Sequence, residues 1–66
     1  MAHNAIKETR ERLLISKAEL SKKSGVSLST INRIEKGENC RAEIKRKIIL
    51  ALDYDLSDKD KIFPEG

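Results

Sequence analysis

The stretch "SKAELSKKSGVSLSTINRIEKGE", residues 16 to 38, limits the fold more tightly than any other part of the chain. Ser16 and Glu19 stand in the S-x-x-E arrangement. There a serine hydroxyl serves a free backbone N–H at a helix start, and the glutamate reaches back to the cap. The spacing predicts a helix from Lys17 that stops at Gly25, a residue able to take positive φ without a Cβ clash. Ser27 then caps a second helix, which Gly37 ends in the same way. Two helices of about two turns each, joined by a turn of about three residues, must therefore sit on a base supplied by the rest of the chain.

That base is readable as three more helices. In "NAIKETRERLLI", Asn4 is placed to cap a helix ending near Leu14, with Ile6, Leu13 and Leu14 near one face and Arg10 close to it. "RAEIKRKIILALDYDL" repeats Ile44, Ile48 and Leu52 at i, i+4 and i+8, and Ile49 widens the stripe. Ser57 is expected to cap a short fifth helix, "DKDKIF", stopped ahead of Pro64 because a residue before proline is steered away from the helical region. No repeat, low-complexity run or linker divides residues 1–66, so one domain is expected.

Composition supports a small helical bundle. The chain of 66 residues is 38% apolar and 38% charged, with no Trp, one Tyr and one Phe, which favours a bundle over a sheet rich in β-branched and aromatic residues. A chain this short buries only about 60% of its unfolded surface, which leaves a narrow stability margin. The expected class is all-α, a compact domain of four to five helices.

Cys40 is the only cysteine and His3 the only histidine, so the sequence offers neither an intramolecular disulfide nor a zinc cluster, and no metal or cofactor is expected. Cys40 reads as a loop thiol and His3 as a solvated terminal residue. No apolar run approaches the ~18 residues of a membrane span, and "MAHNAIKETRER" becomes charged too early for a signal peptide. A soluble, cytoplasmic protein is the expectation, with the single thiol suited to a reducing compartment. Residues 1 to 52 carry 12 Lys/Arg against 6 Asp/Glu, and residues 53 to 66 carry 2 against 5. A basic body with an acidic end suits a polyanion approached from one side.

The spacing around the turn is more specific than the charge. Leu20, Val26, Ile31 and Ile34 supply apolar positions, Ser21 is small where two helices cross, and Gly25 sits at the bend. With the string G-V-S-x-S-T-I-x-R-I-E-x-G, the preceding Ile6 and Arg10, the helix "IKRKIILAL" and the tail "LSDKDKIFP", the sequence resembles the Cro/cI-type helix-turn-helix proteins. These are also called lambda-repressor-like or XRE proteins, and the likeness covers nearly the whole chain. It implies a five-helix domain with the helix-turn-helix at residues 17–36. The third helix, about 28–36, would lie in the major groove of double-stranded DNA, usually in a homodimer reading two half-sites about 34 Å apart.

Leu28, Ser29, Asn32 and Arg33 would project toward the bases. Asn32 can pair bidentately with adenine and Arg33 with guanine, Leu28 can touch a thymine methyl, and Ser29 can donate or accept. Lys17, Ser27, Thr30, Lys36, Asn39 and Arg41 are the expected phosphate contacts. The family usually carries glutamine where this chain has Lys17, and lysine acts on phosphate as a charge, favouring positioning over specificity. The family's loop proline is missing from "ENCRAE". Arg10 and Glu35 match a common inter-helix ion pair, with Arg10 also able to reach a phosphate, while Tyr54, Leu56, Ile62 and Phe63 match a region that often makes the dimer contact, the alternative being a monomer whose apolar tail folds back onto helices one and four.

Three other readings remain at this stage. An antitoxin of a toxin–antitoxin pair has this size, although no extra segment for holding a toxin is evident. A protein-interaction module that keeps the fold without binding DNA would use the apolar residues of the acidic end. An enzyme is disfavoured: the sequence has no histidine–cysteine pair at helical spacing, no phosphate-cradling glycine loop, and little room for a substrate pocket.

Overall fold

Free backbone groups at helix ends must find partners, and most of this architecture follows from how they do. The computed structural model describes residues 4–64; His3 lies outside them. Every regular element in that range is helical: α1 (Ile6–Arg12), α2 (Lys17–Ser24), α3 (Leu28–Glu35), α4 (Ala42–Ala51) and α5 (Lys59–Ile62), with a 3-10 turn at Leu56–Asp58 leading into α5.

Serine begins the two central helices as expected. Ser16 Oγ accepts from the Glu19 N–H at 3.0 Å, and Ser27 Oγ accepts from the Thr30 N–H at 3.3 Å while donating to Thr30 Oγ1 at 2.8 Å. Gly25 closes α2 at φ 74°.

The ends of α1, α3 and α4 share a second device. Each runs into a left-handed residue, Leu14, Gly37 or Asp53, whose N–H returns to the helix while the next residue's N–H reaches further back. In α3 these bonds run from Gly37 to the Ile34 carbonyl and from Glu38 to the Arg33 carbonyl. In α1 they run from Leu14 to Glu11 and from Ile15 to Arg10. Two orphan carbonyls are satisfied each time.

Several expectations need correction. Helix α1 ends at Arg12, and Leu14 is 90% exposed at φ 59°, so it is not a core residue. The left-handed turn reverses the chain and sends Ile15 into the core in its place. Asn4 adjoins α1 without being its formal cap: Oδ1 accepts from the Ile6 N–H at 3.2 Å, and Ala5 occupies the cap position. Ser57 caps nothing, because it lies inside the 3-10 turn, and α5 starts after Asp58 without a side-chain cap bond. Helix α4 stops at Ala51, leaving "DYDL" outside it.

Ile6, Leu20, Ile31, Ile34, Ile48, Leu52 and Ile62 form the fully buried centre. Ile15, Val26, Ile49, Ala51 and Phe63 complete it. Helix α2 packs on both α3 and α4, and α5 packs back on α4. The Ala5 N–H donates to the Ile62 carbonyl at 2.8 Å, joining the two ends of the described chain.

Candidate nucleic-acid interface

The turn between α2 and α3 is built from small polar side chains around Val26. Ser21 Oγ donates to the Val26 carbonyl at 2.6 Å, and the buried Ser24 donates to the Leu20 carbonyl at 2.7 Å while accepting from the Val26 N–H at 3.2 Å. Both backbone groups of Val26 are thus satisfied by α2, and its side chain is buried. This fixes the angle at which α3 leaves the turn. Ser24 was not marked by the sequence, where it reads only as a small residue ahead of Gly25.

Helix α3 is divided by exposure. Ile31 and Ile34 are 0% and 1% exposed, whereas Leu28, Ser29 and Arg33 face solvent and Asn32 is half-buried. At about 100° per residue, Leu28, Asn32, Ser29 and Arg33 span an arc of about 140°, opposite the two isoleucines. Its eight residues make a rod about 12 Å long, a match for a major groove about 12 Å wide.

Two ties hold the far end of α3 against α1. Arg10 Nε donates to Glu35 Oε2 at 3.1 Å, with only 9% and 5% of the two side chains accessible, and Arg10 Nη1 donates to the Ile15 carbonyl at 3.0 Å. Asn4 Nδ2 donates to the Ile34 carbonyl at 2.8 Å. Arg10 is committed to these partners and buried, so it is not placed to reach a phosphate. The Asn4 tie was hidden in the sequence because an asparagine before a helix reads first as a cap.

Of the expected phosphate contacts, Thr30, Asn39 and Arg41 line one open groove of about 350 Å³ between α3, the following loop and α4, together with Arg33 and Glu38 and with Ile34 and Ile44 as its apolar floor. Lys17 is exposed in the first turn of α2, where the free N–H groups and helix dipole favour an anion. Ser27 is the α3 cap, its hydroxyl already engaged with Thr30, and Lys36 is exposed at the other end of that helix. Cys40 borders the groove; partial burial pushes its thiol up from the ordinary value, and nearby Lys45 opposes the shift.

The four expected dimer contacts do not lie together on the surface. Ile62 and Phe63 belong to the chain's own core, because α5 folds back on α4. Leu56 is 43% exposed, and the half-buried Tyr54 accepts from Arg12 Nη1 at 3.5 Å. Among the described residues no cluster of three or more His, Cys, Asp or Glu could hold a metal ion, and no helix is long and apolar enough to cross a membrane.

A short helix braced at both ends, with Leu28, Ser29 and Arg33 outward and a groove lined by Arg33, Glu38 and Arg41 beside it, fits a helix-turn-helix DNA-binding domain. The family comparison agrees: the helix-turn-helix model HTH_3 matches residues 6–59, and the chain belongs to that Cro/C1-type, XRE-like family. It is a DNA-binding family and not typically an enzymatic one. No curated protein and no solved structure matches the chain.

Proposed function

We propose that the protein is a sequence-specific transcriptional repressor that reads the major groove with α3, acting as a homodimer on a palindromic operator. The observation that carries this reading is the division of α3, with Ile31 and Ile34 buried and Leu28, Ser29 and Arg33 exposed on the opposite side. Asn32 and Arg33 supply bidentate contacts to adenine and guanine, and Leu28 and Ser29 supply shorter-range discrimination. Lys17, Ser27, Thr30, Lys36, Asn39 and Arg41 hold the register on phosphates. Repression needs no more than occupancy of a promoter, which a DNA-binding domain can provide.

Half-sites about 34 Å apart exceed the 25 × 22 × 21 Å extents of one protomer, so two protomers can occupy them without overlapping. Tyr54 keeps surface for the contact between them, while Ile62 and Phe63 act from beneath by fixing α5, and Leu56 faces a cleft beside α4 instead. Selection from a random duplex pool at physiological salt tests the whole reading. Enrichment of a palindrome is expected. With 6–10 phosphate contacts, affinity should fall on the order of 10³–10⁵ between 50 and 200 mM salt. Recovery of unselected sequence, or binding indifferent to salt, would count against it.

A further inference from the structure

A second concavity lies on the other side of α4, away from the groove beside α3. It is a cleft of about 210 Å³ between α4 and the segment formed by the 3-10 turn and α5. Ile49, Leu56 and Phe63 give it apolar walls, and Lys45, Arg46 and Lys59 stand around it. We infer that this cleft binds a small, flat, apolar carboxylate of the arenecarboxylate class, a role separate from DNA recognition.

Charge is the first argument. Among the described residues the ion pairs are Arg10 with Glu35, Lys23 with Asp53, Lys47 with Glu43 and Lys61 with Asp58. None involves Lys45, Arg46 or Lys59, although the acidic end of the chain supplies the adjoining wall. Lys45, Arg46 and Lys59 thus line one cleft without a partner in these pairs among the described residues, which favours an anion over a cation or a neutral polar guest.

Size and wall chemistry are the second argument. An apolar cavity of about 150 Å³ accepts benzene. At about 210 Å³ this cleft has room for one ring and a carboxylate, and is too small for an ordinary drug-sized ligand, whose sites start at about 300 Å³. The only phenylalanine of the chain stands here, and Lys45 Nζ lies 5.5 Å from its ring centroid. That contact holds an ammonium at the boundary between the apolar wall and solvent, where the charged end of such a guest would rest. Leu56 keeps 43% of its surface exposed beside it.

The test is a titration of the ¹⁵N-labelled full chain with sodium benzoate at fixed ionic strength, with benzyl alcohol and sodium sulfate as comparison probes. Benzoate is expected to give saturable shifts centred on Lys45, Arg46, Ile49, Leu56, Lys59 and Phe63. Benzyl alcohol should bind at least tenfold more weakly, and sulfate should give no saturable shift. Lys45→Gln combined with Arg46→Gln should weaken benzoate at least tenfold while the spectrum keeps its folded dispersion, and Lys59→Gln alone is the second variant should that pair fail to fold. Equal binding of benzyl alcohol or sulfate, shifts centred on Arg33 and Arg41, or undiminished affinity in the variants would overturn the assignment. So would shifts of the cleft residues with protein concentration alone, which would mean that a second copy covers them. No DNA enters the titration, so its failure leaves the DNA-binding reading untouched.

Discussion

Glu35→Leu removes the carboxylate paired with the Arg10 guanidinium, and Arg10 is 8% exposed and cannot swing out to water without abandoning the Ile15 carbonyl. Arg10→Met strands Glu35 in the same way, with 5% of its side chain accessible. Breaking a buried pair by deleting one partner costs about 3–5 kcal/mol, because the survivor is an uncompensated buried charge. A chain of 66 residues has a total stability of only about 3–10 kcal/mol at the usual 0.05–0.15 kcal/mol per residue. Either single variant should therefore lose from about a third of the total stability to all of it. The double variant Arg10→Met/Glu35→Leu strands no charge and loses chiefly the bond to the Ile15 carbonyl, about 1–3 kcal/mol. The assay is urea unfolding followed by circular dichroism at 222 nm on all four proteins. With a slope of about 1 kcal/mol per molar for so small a domain, each single variant should lose about 3–5 M in midpoint. The double variant should lose less than either single, a coupling of about 2 kcal/mol or more. If each single costs under about 1 kcal/mol and the two effects add, the pair behaves as a screened surface pair and the reasoning fails.

Three further outcomes are expected. Leu14→Gly relieves a left-handed leucine that packs against little, and should stabilise by about 0.5–1 kcal/mol after the added freedom of the unfolded chain is counted, raising Tm by several degrees in a thermal melt; a lower Tm would mean that Leu14 makes a contact worth more than its strain. Asn32→Ala should relax preference at one or two base pairs, while Lys17→Ala should weaken binding to all duplexes alike and flatten the salt slope by about one, which electrophoretic mobility shifts at several salt concentrations will separate. Burial raises the Cys40 thiol above its ordinary value, with Lys45 opposing. Its contribution to stability is therefore present at neutral pH and lost as pH climbs from the ordinary thiol value through the raised one. Alkylation by iodoacetamide near pH 8 should run slower in the native protein than in urea, and equal rates would show that burial does not govern this thiol.

Much of this was legible because local rules and tertiary packing agree around the turn. Ser16, Gly25 and Ser27 do there what their chemistry favours in any chain, and Leu20, Val26, Ile31 and Ile34 are buried as their spacing requires. The end of α1 was misread because a leucine occupies a conformation that favours glycine: apolar character suggested core, and nothing local announced the reversal that buries Ile15 instead. Ser57 fits a cap by composition, but packing against α4 favours a 3-10 turn in its place. Ile62 and Phe63 were ambiguous because an apolar tail suits a partner and a core equally, and only the path of α5 decides. In the interface, the outward arc of α3 followed from periodicity, whereas the bond from Asn4 to Ile34 spans 30 residues and leaves no local mark.

The bond between Ala5 and Ile62 makes the described chain nearly a closed loop, with consequences for how the domain comes apart. Helix α1 holds the last turn of α3 through Asn4 and Arg10, and α1 is itself fastened to α5 through Ala5. Loosening at the acidic end would therefore travel to α3 without passing through the turn that aims it. Anything fused close to either end pulls on the same seam, so a tag chosen for purification would weaken DNA binding while leaving every outward side chain of α3 intact.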